Sequence, residues 1–516
     1  MMSSLVSNDQ APLTTKNCQK SKTTLHASAD STGIVIIGAG MAGSRFAIEL
    51  ARARLQTASE NSSSLPITLI SKEQHVGYNR IMLSPVLAGD TVFEDTYLYD
   101  QAEYEQLGIT VLAGVSVDAI DSAQQLIELD NGQTLTYAKL VLATGSSARV
   151  IPFPNHDAIG VHVFREVADV KALSQYARQA KIGIVIGGGV LGLEAACALT
   201  AQGASMTVVH MDDYVLNRQL DLPAATLLQA ELVSRGIRLE VSAITERIVT
   251  TASKVCGLLL QDGRTLPADF IVMAVGVVPN VALAKGSGLE VNRGIIVDNY
   301  MRTSCPNVYA IGECVELDGE LFGMVAPVNQ QVDTLVSVLK GALLKDTVLE
   351  KTLSKNTVLK DSVLKDEGIV VNSSEPKKNW QPFISKPLSL KLKVSGISAF
   401  SAGQVDFDES DALNIETITY QQTSINHYHR LYLRDNKLVG AVLYGEVNEG
   451  GFYSELVNSS TDITAIREHL IYGAAYCDLK KITANSDANN ENIDVTLTTK
   501  INNDGQSDLR NTGVAS

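Results

Sequence analysis

The stretch Gly33-Ile-Val-Ile-Ile-Gly-Ala-Gly-Met-Ala-Gly-Ser-Arg-Phe-Ala-Ile-Glu decides the fold of this chain. An apolar strand runs into three glycines spaced as Gly-x-Gly-x-x-Gly, and a helix-length amphipathic segment follows. The first glycine permits a tight turn, the second lets a pyrophosphate approach the backbone, and the third lets helix and strand pack closely. This pattern predicts a Rossmann unit whose helix amino end faces the phosphates. The residues expected to bind the cofactor here are Gly38, Ala39, Gly40, Met41, Ala42 and Gly43.

The residue expected to bind the ribose of this first cofactor is Glu73. It follows the predicted second strand, residues 66–70, and lies 73 − 43 = 30 residues after Gly43. The usual separation is ~20 residues. The Ser-rich insertion at residues 59–64 accounts for the extra length. The alternative is that Glu73 is a solvated loop charge.

A second fingerprint follows the apolar stretch Lys181-Ile-Gly-Ile-Val-Ile, at Gly187, Gly189 and Gly192. Its second predicted strand, residues 205–209, leads into His210-Met-Asp-Asp. Arg218 is the first arginine downstream, so no basic cluster is present to bind a 2′-phosphate. The sequence therefore favours NADH slightly over NADPH, although His210 stands where an acid is expected.

Bulk properties limit the class of protein. At ~100–200 residues per domain, 516 residues predict about three domains, with 45% hydrophobic and 19% charged residues as in compact proteins. A net charge of −15 argues against non-specific nucleic-acid binding. No apolar run reaches the ~18 residues of a membrane span, and the first thirty residues lack the apolar stretch of a signal peptide. We expect a cytoplasmic protein with no membrane partner.

The six cysteines are scattered, with no C-x-x-C pair and no disulfide-framework spacing. This usage suits a reducing compartment. It also argues against a disulfide reductase, which needs a close cysteine pair, and against an iron–sulfur protein, which needs clustered thiolates. No metal site is expected.

Three further segments resemble motifs of the pyridine nucleotide and FAD-dependent reductases. They are Leu140-Val-Leu-Ala-Thr-Gly-Ser, Ala274-Val-Gly-Val-Val-Pro-Asn and Asn307-Val-Tyr-Ala-Ile-Gly-Glu. Within that family the chain most resembles the flavin portion of the NAD(P)H-dependent nitrite reductase large subunit. The segments that carry this resemblance include Tyr78-Asn-Arg-Ile-Met-Leu-Ser-Pro-Val-Leu-Ala-Gly, Met324-Val-Ala-Pro and Leu392-Lys-Val-Ser-Gly-Ile-Ser-Ala-Phe-Ser-Ala-Gly.

The resemblance implies that FAD binds the first Rossmann unit and that the nicotinamide domain is inserted into the FAD domain. Arg80 and Arg165 are similar to the family's FAD-contacting arginines, and for Arg165 a surface helix charge remains the alternative. Glu313 stands where most members have an Asp that bonds the flavin ribityl chain. The other cofactor-binding residues that we expect are Val117, Thr144, Gly145, Gly276 and Gly312.

Two departures from the family pattern limit the function. Nitrite reductase large subunits continue into an iron–sulfur module and a sirohaem domain, whereas this chain has no cysteine after Cys477, so nitrite reduction on this chain alone is excluded. Ferredoxin and rubredoxin reductases pair a flavin-proximal Lys with a Glu of the second Rossmann helix. Glu194 matches that Glu and is our catalytic and cofactor-binding candidate, but Pro85 stands where the Lys is expected, so the ion pair of those reductases is absent here.

The predicted fold class is α/β, with two Rossmann-type domains and a small α+β C-terminal domain. We expect a disordered tail at 1–32, an FAD domain at 33–156 and 278–340, and an NAD domain at 157–277. An insertion or linker at 341–386 precedes the small domain at 387–477 and a disordered tail at 478–516. Within the insertion, residues 344–366 repeat a Thr/Ser-Val-Leu motif and read as a short amphipathic helix or a mobile linker.

The leading hypothesis is an oxidoreductase that passes electrons from NADH through FAD to a separate redox protein, such as a nitrite or nitrate reductase component or an iron–sulfur protein. A ferredoxin or rubredoxin reductase is the enzymatic alternative. An alternative of another class is a flavin-holding sensor or scaffold without turnover. Loss of NADH affinity would favour that last reading.

Overall fold

The computed structural model describes residues 33–56, 65–179, 181–355, 380–386, 389–394 and 396–478. The predicted tail at 1–32, the insertion at 59–64 and nearly all of the predicted tail at 478–516 lie outside these residues. The described strands, in chain order, are β1 (Gly33–Ile37), β2 (Ile67–Ser71), β3 (Ile109–Ala113), β4 (Val117–Asp121), β5 (Leu126–Leu129), β6 (Thr134–Leu142), β7 (Ser146–Ala148), β8 (Val161–Val163), β9 (Ile182–Ile186), β10 (Ser205–Val209), β11 (Arg238–Glu240), β12 (Thr245–Thr251), β13 (Lys254–Leu260), β14 (Thr265–Pro267), β15 (Phe270–Met273), β16 (Val277–Pro279), β17 (Ile295–Ile296), β18 (Val308–Ala310), β19 (Val315–Leu317), β20 (Glu320–Leu321), β21 (Ser389–Val394), β22 (Ile397–Gly403), β23 (Glu416–Gln422), β24 (His427–Arg434) and β25 (Lys437–Tyr444).

The helices alternate with these strands along the chain. They are α1 (Met41–Leu55), α2 (Leu83–Ala88), α3 (Gln101–Gln106), α4 (Val167–Gln179), α5 (Val190–Ala201), α6 (Leu222–Ser234), α7 (Ala282–Gly286), α8 (Val325–Lys355), α9 (Glu409–Ala412) and α10 (Gly450–Ser459). Short 3-10 turns occur at Arg80–Met82, Phe93–Thr96, Thr423–Ile425, Leu470–Tyr472 and Ala474–Tyr476.

The first sheet has the strand order β3-β2-β1-β6-β5-β4, and β18 also pairs with β6. β1 is parallel to β2 and to β6, and all five of its residues are buried. This is the near-continuous apolar pattern of a central parallel strand with both faces covered. Because β18 joins this sheet only after the second sheet is complete, the chain leaves the first unit and returns to it, as the predicted insertion requires.

The second sheet has the order β11-β10-β9-β15-β8, with each neighbouring pair parallel. The short strands β7 and β16 connect the two units. They pair antiparallel, with Ala148 opposite Val277 and Ser146 opposite Pro279. The outgoing and returning crossings of the chain therefore run side by side.

The third sheet is antiparallel in the order β21-β22-β25-β24-β23, which confirms the predicted small terminal sheet. One face packs on α10 and the other on helices of the second unit. Asp221 joins the two: its Oδ1 accepts the Ala224 N–H at 3.1 Å as the N-cap of α6, and its Oδ2 accepts the hydroxyls of Tyr428 at 2.5 Å and Tyr432 at 2.9 Å. Arg430 Nη1 lies 3.3 Å from the same carboxylate oxygen.

The helix α8 continues to Lys355, past residue 341, where the sequence predicts the start of an insertion or linker. The helical interpretation of the repeated segment is therefore right for residues 344–355, and residues 356–366 lie outside the described part. The end of the predicted linker also packs on the first core. Phe383 is buried against Phe322 with ring centroids 5.3 Å apart, and its N–H donates to the Asn299 carbonyl at 2.8 Å.

None of the helices in the described ranges is both long enough and apolar enough to cross a membrane.

Candidate functional site

A cavity of about 720 Å³ lies at the carboxyl ends of β1, β2 and β6 in the first unit. This position is where open α/β sheets bind ligands, and the volume is within the ~300–1,000 Å³ typical of small-molecule sites. The predicted FAD-site residues that line it are Gly38, Ala39, Gly40, Met41, Ala42, Glu73, Arg80, Val117, Thr144, Gly145, Arg165, Gly312 and Glu313. Residues far apart in sequence are thus brought together as the motifs predicted.

Each of the three positions in the first turn is occupied by glycine for a different structural reason. Gly38 has φ +106°, and a Cβ there would lie 2.1 Å from the Ala143 carbonyl oxygen. A Cβ on Gly43 would lie 1.9 Å from the Gly38 oxygen, so helix and strand are too close for any side chain. A Cβ on Gly40, at the N-cap of α1, would meet nothing within 4 Å. Protein packing does not require that glycine, so the open space before α1 fits a pyrophosphate at the helix amino end.

Glu73 follows β2 and is held by two partners in the cavity wall. Its Oε2 accepts the Tyr78 hydroxyl at 2.8 Å, and its Oε1 pairs with the Arg80 guanidinium. The alternative that it is a solvated loop charge is therefore wrong. Burial raises the pKa of Tyr78, while the Arg80 charge acts in the opposite direction. The hydroxyl stays protonated and can donate to the carboxylate.

Arg165 and Glu313 form the second polar group of the wall. Arg165 pairs with Glu313, and its Nη2 lies 2.8 Å from Ser146 Oγ, which in turn donates to Glu313 Oε2 at 2.8 Å. Arg80 Nη1 donates to the Arg165 carbonyl at 3.0 Å and so links both groups. Arg165 precedes α4 and is largely buried, which rules out the surface-charge alternative. Sequence reasoning missed Ser146 in this group, although it ends a motif that was recognised.

A second, smaller cavity of about 170 Å³ touches the second fingerprint at Gly189 and the predicted Gly276. Ala148 of β7 and Val277 of β16 also line it, whereas Ser146 and Pro279 of the same two strands line the large cavity. The β7–β16 ribbon is therefore the shared wall of both cavities.

The second glycine turn repeats the geometry of the first. Gly187 has φ +115°, and its Cβ would lie 2.3 Å from the Ala274 oxygen, while a Cβ on Gly192 would lie 2.1 Å from the Gly187 oxygen. Gly189 caps α5 and, like Gly40, has nothing within 4 Å of an added Cβ. As at Gly40, this open space at the helix amino end fits a pyrophosphate.

His210 occupies the position after β10 where an acid is expected, and its ring is directed at the glycine turn. Its Nδ1 accepts the Gly188 N–H at 3.2 Å, which leaves the proton of the neutral ring on Nε2. Nε2 lies 3.4 Å from Asp212 Oδ2, within ion-pair range but long for a hydrogen bond. Asp213 accepts the Ser242 hydroxyl at 2.7 Å. The Asp212 carboxylate therefore stands beside the His210 ring, a contact that sequence reasoning did not predict.

Glu194 of α5 lines neither cavity as described and accepts the Ser84 hydroxyl at 2.6 Å. Burial raises its pKa, and the Ser84 hydrogen bond acts in the opposite direction. Among the described residues it has no ion pair, as the proline at position 85 predicted. A direct catalytic role is unsupported by this geometry.

Two parallel α/β units, each with one glycine turn, and two adjoining cavities define the class of proteins that bind two dinucleotides. The family model for pyridine nucleotide-disulphide oxidoreductases matches residues 32–334, and the model for the rubredoxin NAD⁺ reductase C-terminal domain matches residues 389–461. The chain belongs to the pyridine nucleotide-disulphide oxidoreductase family, and its cofactors are FAD and a pyridine nucleotide. No group of His, Cys, Asp or Glu in the described residues could hold a metal ion.

Relatives and solved structures agree with this assignment. The chain is 36% identical over 431 residues to nitrite reductase [NAD(P)H] of Bacillus subtilis, covering 84% of this chain and 48% of that protein. It is 35% identical over 438 residues to the assimilatory nitrate reductase electron transfer subunit of the same organism, covering 85% and 51%. NADH:rubredoxin oxidoreductase of Clostridium acetobutylicum superposes with a TM-score of 0.61 at 25% identity, covering 84% of this chain and 97% of that one. The chain thus spans about half the length of the curated relatives it matches.

Proposed function

We propose that this chain oxidises NADH in the small cavity and passes the electrons through FAD in the large cavity to a separate redox protein. The observation that carries the proposal is the shared β7–β16 wall, because hydride transfer needs the two rings in contact and the two cavities adjoin there. FAD, when bound, accepts the hydride and releases electrons to an acceptor. Similarity to nitrite and nitrate reductase components supports an acceptor from assimilatory nitrite or nitrate reduction.

The residues of the large cavity divide into three proposed tasks. The backbone of the turn from Gly38 to Gly43 and the amino end of α1 hold the pyrophosphate. Glu73, held by Tyr78 and Arg80, accepts hydrogen bonds from the hydroxyl groups of the adenosine ribose. Glu313 binds the ribityl chain. Arg165 compensates the charge of Glu313, so that this carboxylate can remain in a partly buried wall.

In the second unit we propose that the turn from Gly187 to Gly192 binds the coenzyme pyrophosphate and that the coenzyme is NADH. The Asp212 carboxylate, 3.4 Å from His210 Nε2, would repel a 2′-phosphate, and that electrostatic argument supports the preference. Glu194 is proposed to act through its contact with Ser84, as a positioning residue between the units.

The predicted division into an FAD domain, an inserted NAD domain and a small C-terminal domain is kept as a proposal, with the last boundary of the FAD domain moved from residue 340 to the end of α8 at Lys355. The return of β18 to the first sheet supports the insertion. We also propose a cytoplasmic location, supported by the thiols of Cys256, Cys305, Cys314 and Cys477 in the described chain, which form no disulfide.

The experiment is anaerobic addition of NADH to the FAD-loaded protein. We expect the flavin absorbance to bleach with one NADH per FAD, and to bleach far more slowly with NADPH. The matched control is Gly189→Ala, whose added Cβ meets no protein atom within 4 Å; it should keep FAD but need about tenfold more NADH to bleach. An unreacted flavin in the wild-type protein would contradict the proposal and favour a flavin-holding scaffold.

A rubredoxin or ferredoxin reductase is the second candidate function. The match of residues 389–461 to a rubredoxin reductase domain favours it. Rates of NADH oxidation with a rubredoxin, a ferredoxin and a nitrite reductase haem component as acceptors separate the two candidates.

A further inference from the structure

The second unit has an acid at the usual separation from its glycine turn, although the residue directly after β10 is a histidine. In Rossmann units an Asp or Glu ~20 residues beyond the glycine turn binds the coenzyme ribose. Asp212 lies 212 − 192 = 20 residues after Gly192, whereas His210 occupies the position at the end of the strand. A neutral imidazole has one donor and one acceptor nitrogen, so it cannot accept hydrogen bonds from two hydroxyl groups. The ribose-binding chemistry of this segment therefore lies with the acids that follow His210.

The His210 ring is fixed on the glycine turn. Its Nδ1 accepts the Gly188 N–H at 3.2 Å, and its backbone N–H donates to the Glu240 carbonyl at 2.8 Å. The ring also fills the space beside Gly188, where an added Cβ would lie 2.8 Å from the ring Cγ. Because Nδ1 is the acceptor, the proton of the neutral ring is on Nε2. The turn thus sets both the orientation and the tautomer of this side chain.

Nε2 of His210 is buried and has no hydrogen-bond partner within the described chain. Asp212 Oδ2 lies 3.4 Å from it, which is longer than a usual N–H···O hydrogen bond but close enough for a small shift of the carboxylate to complete one. A buried donor without an acceptor is unfavourable, so the ring draws the carboxylate toward this position. The Asp212 side chain is 44% exposed and that of His210 is 12% exposed, so a ligand reaches the carboxylate and not the ring.

The other acids at this end of the sheet already have partners. Asp213 accepts the Ser242 hydroxyl at 2.7 Å, and Glu240 Oε2 is 2.7 Å from Arg264 Nη1. Beyond the ring contact, the Asp212 carboxylate has no hydrogen bond or ion pair with any residue that the structure describes. Its backbone carbonyl accepts the Ser242 N–H at 2.9 Å. The Asp212 backbone is therefore held in place while its carboxylate is available to a ligand.

We propose that Asp212 binds the adenosine ribose of the coenzyme and that His210 is its positioning residue, which holds the carboxylate beside the glycine turn. This inference rests on the proposed function and names residues of its NADH site. A carboxylate has two oxygens, so Asp212 can accept the 2′-hydroxyl while it accepts the His210 Nε2–H. One nitrogen of the ring contacts the turn that binds the pyrophosphate, and the other faces the acid that binds the ribose. Loss of the Nε2 donor therefore weakens ribose binding although the acid is still present.

The test measures the contribution of the 2′-hydroxyl to coenzyme affinity. Titration calorimetry on the full FAD-loaded chain compares NAD⁺, which cannot reduce the flavin, with 2′-deoxy-NAD⁺, whose adenosine ribose lacks that hydroxyl. Asp212→Asn removes the charged acceptor. The shorter amide of His210→Asn can replace Nδ1 as the acceptor of the Gly188 N–H but places no donor at the position of Nε2. His210→Gln returns a donor at that position, and Asp213→Asn is the matched control.

We expect the wild type to bind NAD⁺ about tenfold more tightly than 2′-deoxy-NAD⁺, as one hydrogen bond to a charged acceptor predicts. This ratio should fall below about threefold in Asp212→Asn and in His210→Asn, and it should return to about the wild-type value in His210→Gln. It should remain at the wild-type value in Asp213→Asn. A variant that is only destabilised loses affinity for both ligands equally and keeps the ratio, which separates positioning from a structural role.

The inference is overturned if the wild type binds the two ligands equally, or if Asp212→Asn or His210→Asn keeps the wild-type ratio. A ratio in Asp213→Asn as low as in Asp212→Asn, or in His210→Gln as low as in His210→Asn, would also overturn it. Each of these results leaves the bleaching of the flavin by NADH in the wild type unaffected. If NADH instead leaves the FAD of the wild-type protein oxidised, the proposed function itself fails.

Discussion

Ser84 and Glu194 lie on helices of different units, α2 and α5, and the Ser84 hydroxyl donates a 2.6 Å hydrogen bond to Glu194 Oε2. The position after Ser84 is a proline, so no cation compensates the buried carboxylate from that side. Burial favours the protonated acid and raises the pKa of Glu194 above 4.5, against the effect of the Ser84 hydrogen bond. The contact between the two units therefore contains a hydrogen bond whose acceptor carboxylate has a shifted pKa.

The first prediction concerns pH. Because Glu194 binds a proton more tightly in the folded chain, its contribution to stability is present at low pH and is lost as the pH rises from about 4.5 through the raised pKa. Glu194→Gln removes this loss. We expect the variant to gain stability relative to the wild type between pH 4.5 and pH 8, measured by urea unfolding across that range. A constant difference at all pH values would contradict the argument, and Glu455→Gln on the exposed face of α10 serves as control.

The second prediction distinguishes glycines that a ligand requires from glycines that protein packing requires. Gly40→Ala and Gly189→Ala should fold with nearly wild-type thermal stability, because their added Cβ atoms meet no protein atom within 4 Å. They should nevertheless weaken FAD and NADH binding respectively by tenfold or more, since the backbone there is where a pyrophosphate approaches. Titration calorimetry of each variant provides the measurement.

Gly43→Ala is the contrasting variant, because its Cβ would lie 1.9 Å from the Gly38 oxygen. It should lower the melting temperature of the protein even without FAD. Wild-type cofactor affinity in Gly40→Ala would show that the open space is not a phosphate site.

The third prediction concerns coenzyme choice. Asp212→Asn removes the carboxylate 3.4 Å from His210 Nε2. Relief of like-charge repulsion with a 2′-phosphate should raise kcat/KM for NADPH relative to NADH by about tenfold, equivalent to ~1.4 kcal/mol. Steady-state kinetics with both coenzymes measure the ratio. Glu246→Gln, an exposed acid of β12 in the same unit, should leave it unchanged, and an unchanged ratio in Asp212→Asn would exclude this residue from selection.

The fourth prediction concerns the contact between the second unit and the small domain. Tyr428→Phe and Tyr432→Phe each remove a hydrogen bond to the buried Asp221 carboxylate, which should cost about 1.5–3 kcal/mol of unfolding free energy. The double variant should cost less than the sum, because both hydroxyls share one acceptor oxygen.

These tyrosines also predict an alkaline limit to stability. Burial, and then Asp221, raises the pKa of both hydroxyls, so their contribution is present below about pH 10 and is lost as the pH rises above the value of an unfolded tyrosine. Urea unfolding from pH 7 to pH 11 should show this loss, and it should be smaller in Tyr432→Phe. The exposed Tyr472→Phe is the control, and an equal slope in both variants would contradict the assignment.

The local features of the site could be predicted from sequence, while its long-range partners could not. The glycine turns and their strands follow from short-range sterics, so Gly38 and Gly187 were found with their roles. The bond of Ser146 to Glu313 joins residues 167 positions apart, and that of Tyr428 to Asp221 joins residues 207 positions apart. No local pattern encodes which distant strand end will supply such a partner.

The helix α8 is a case in which the sequence pattern suggested a division that the helix does not have. The repeated Thr/Ser-Val-Leu motif suggested a separate inserted element, yet the structure continues one helix from Val325 to Lys355. Repetition in sequence is compatible with an uninterrupted helix, because good helix formers extend an existing helix without a new nucleus. The predicted boundary marked a change of composition and not the end of an element.

The pairing of β7 with β16 has a mechanical consequence. Two covalent connections that are hydrogen-bonded to each other form one two-stranded ribbon, which resists twisting of either connection alone more than two separate strands would. Because residues of this ribbon line both cavities, a shift of one unit against the other would reach both cavities through the same element.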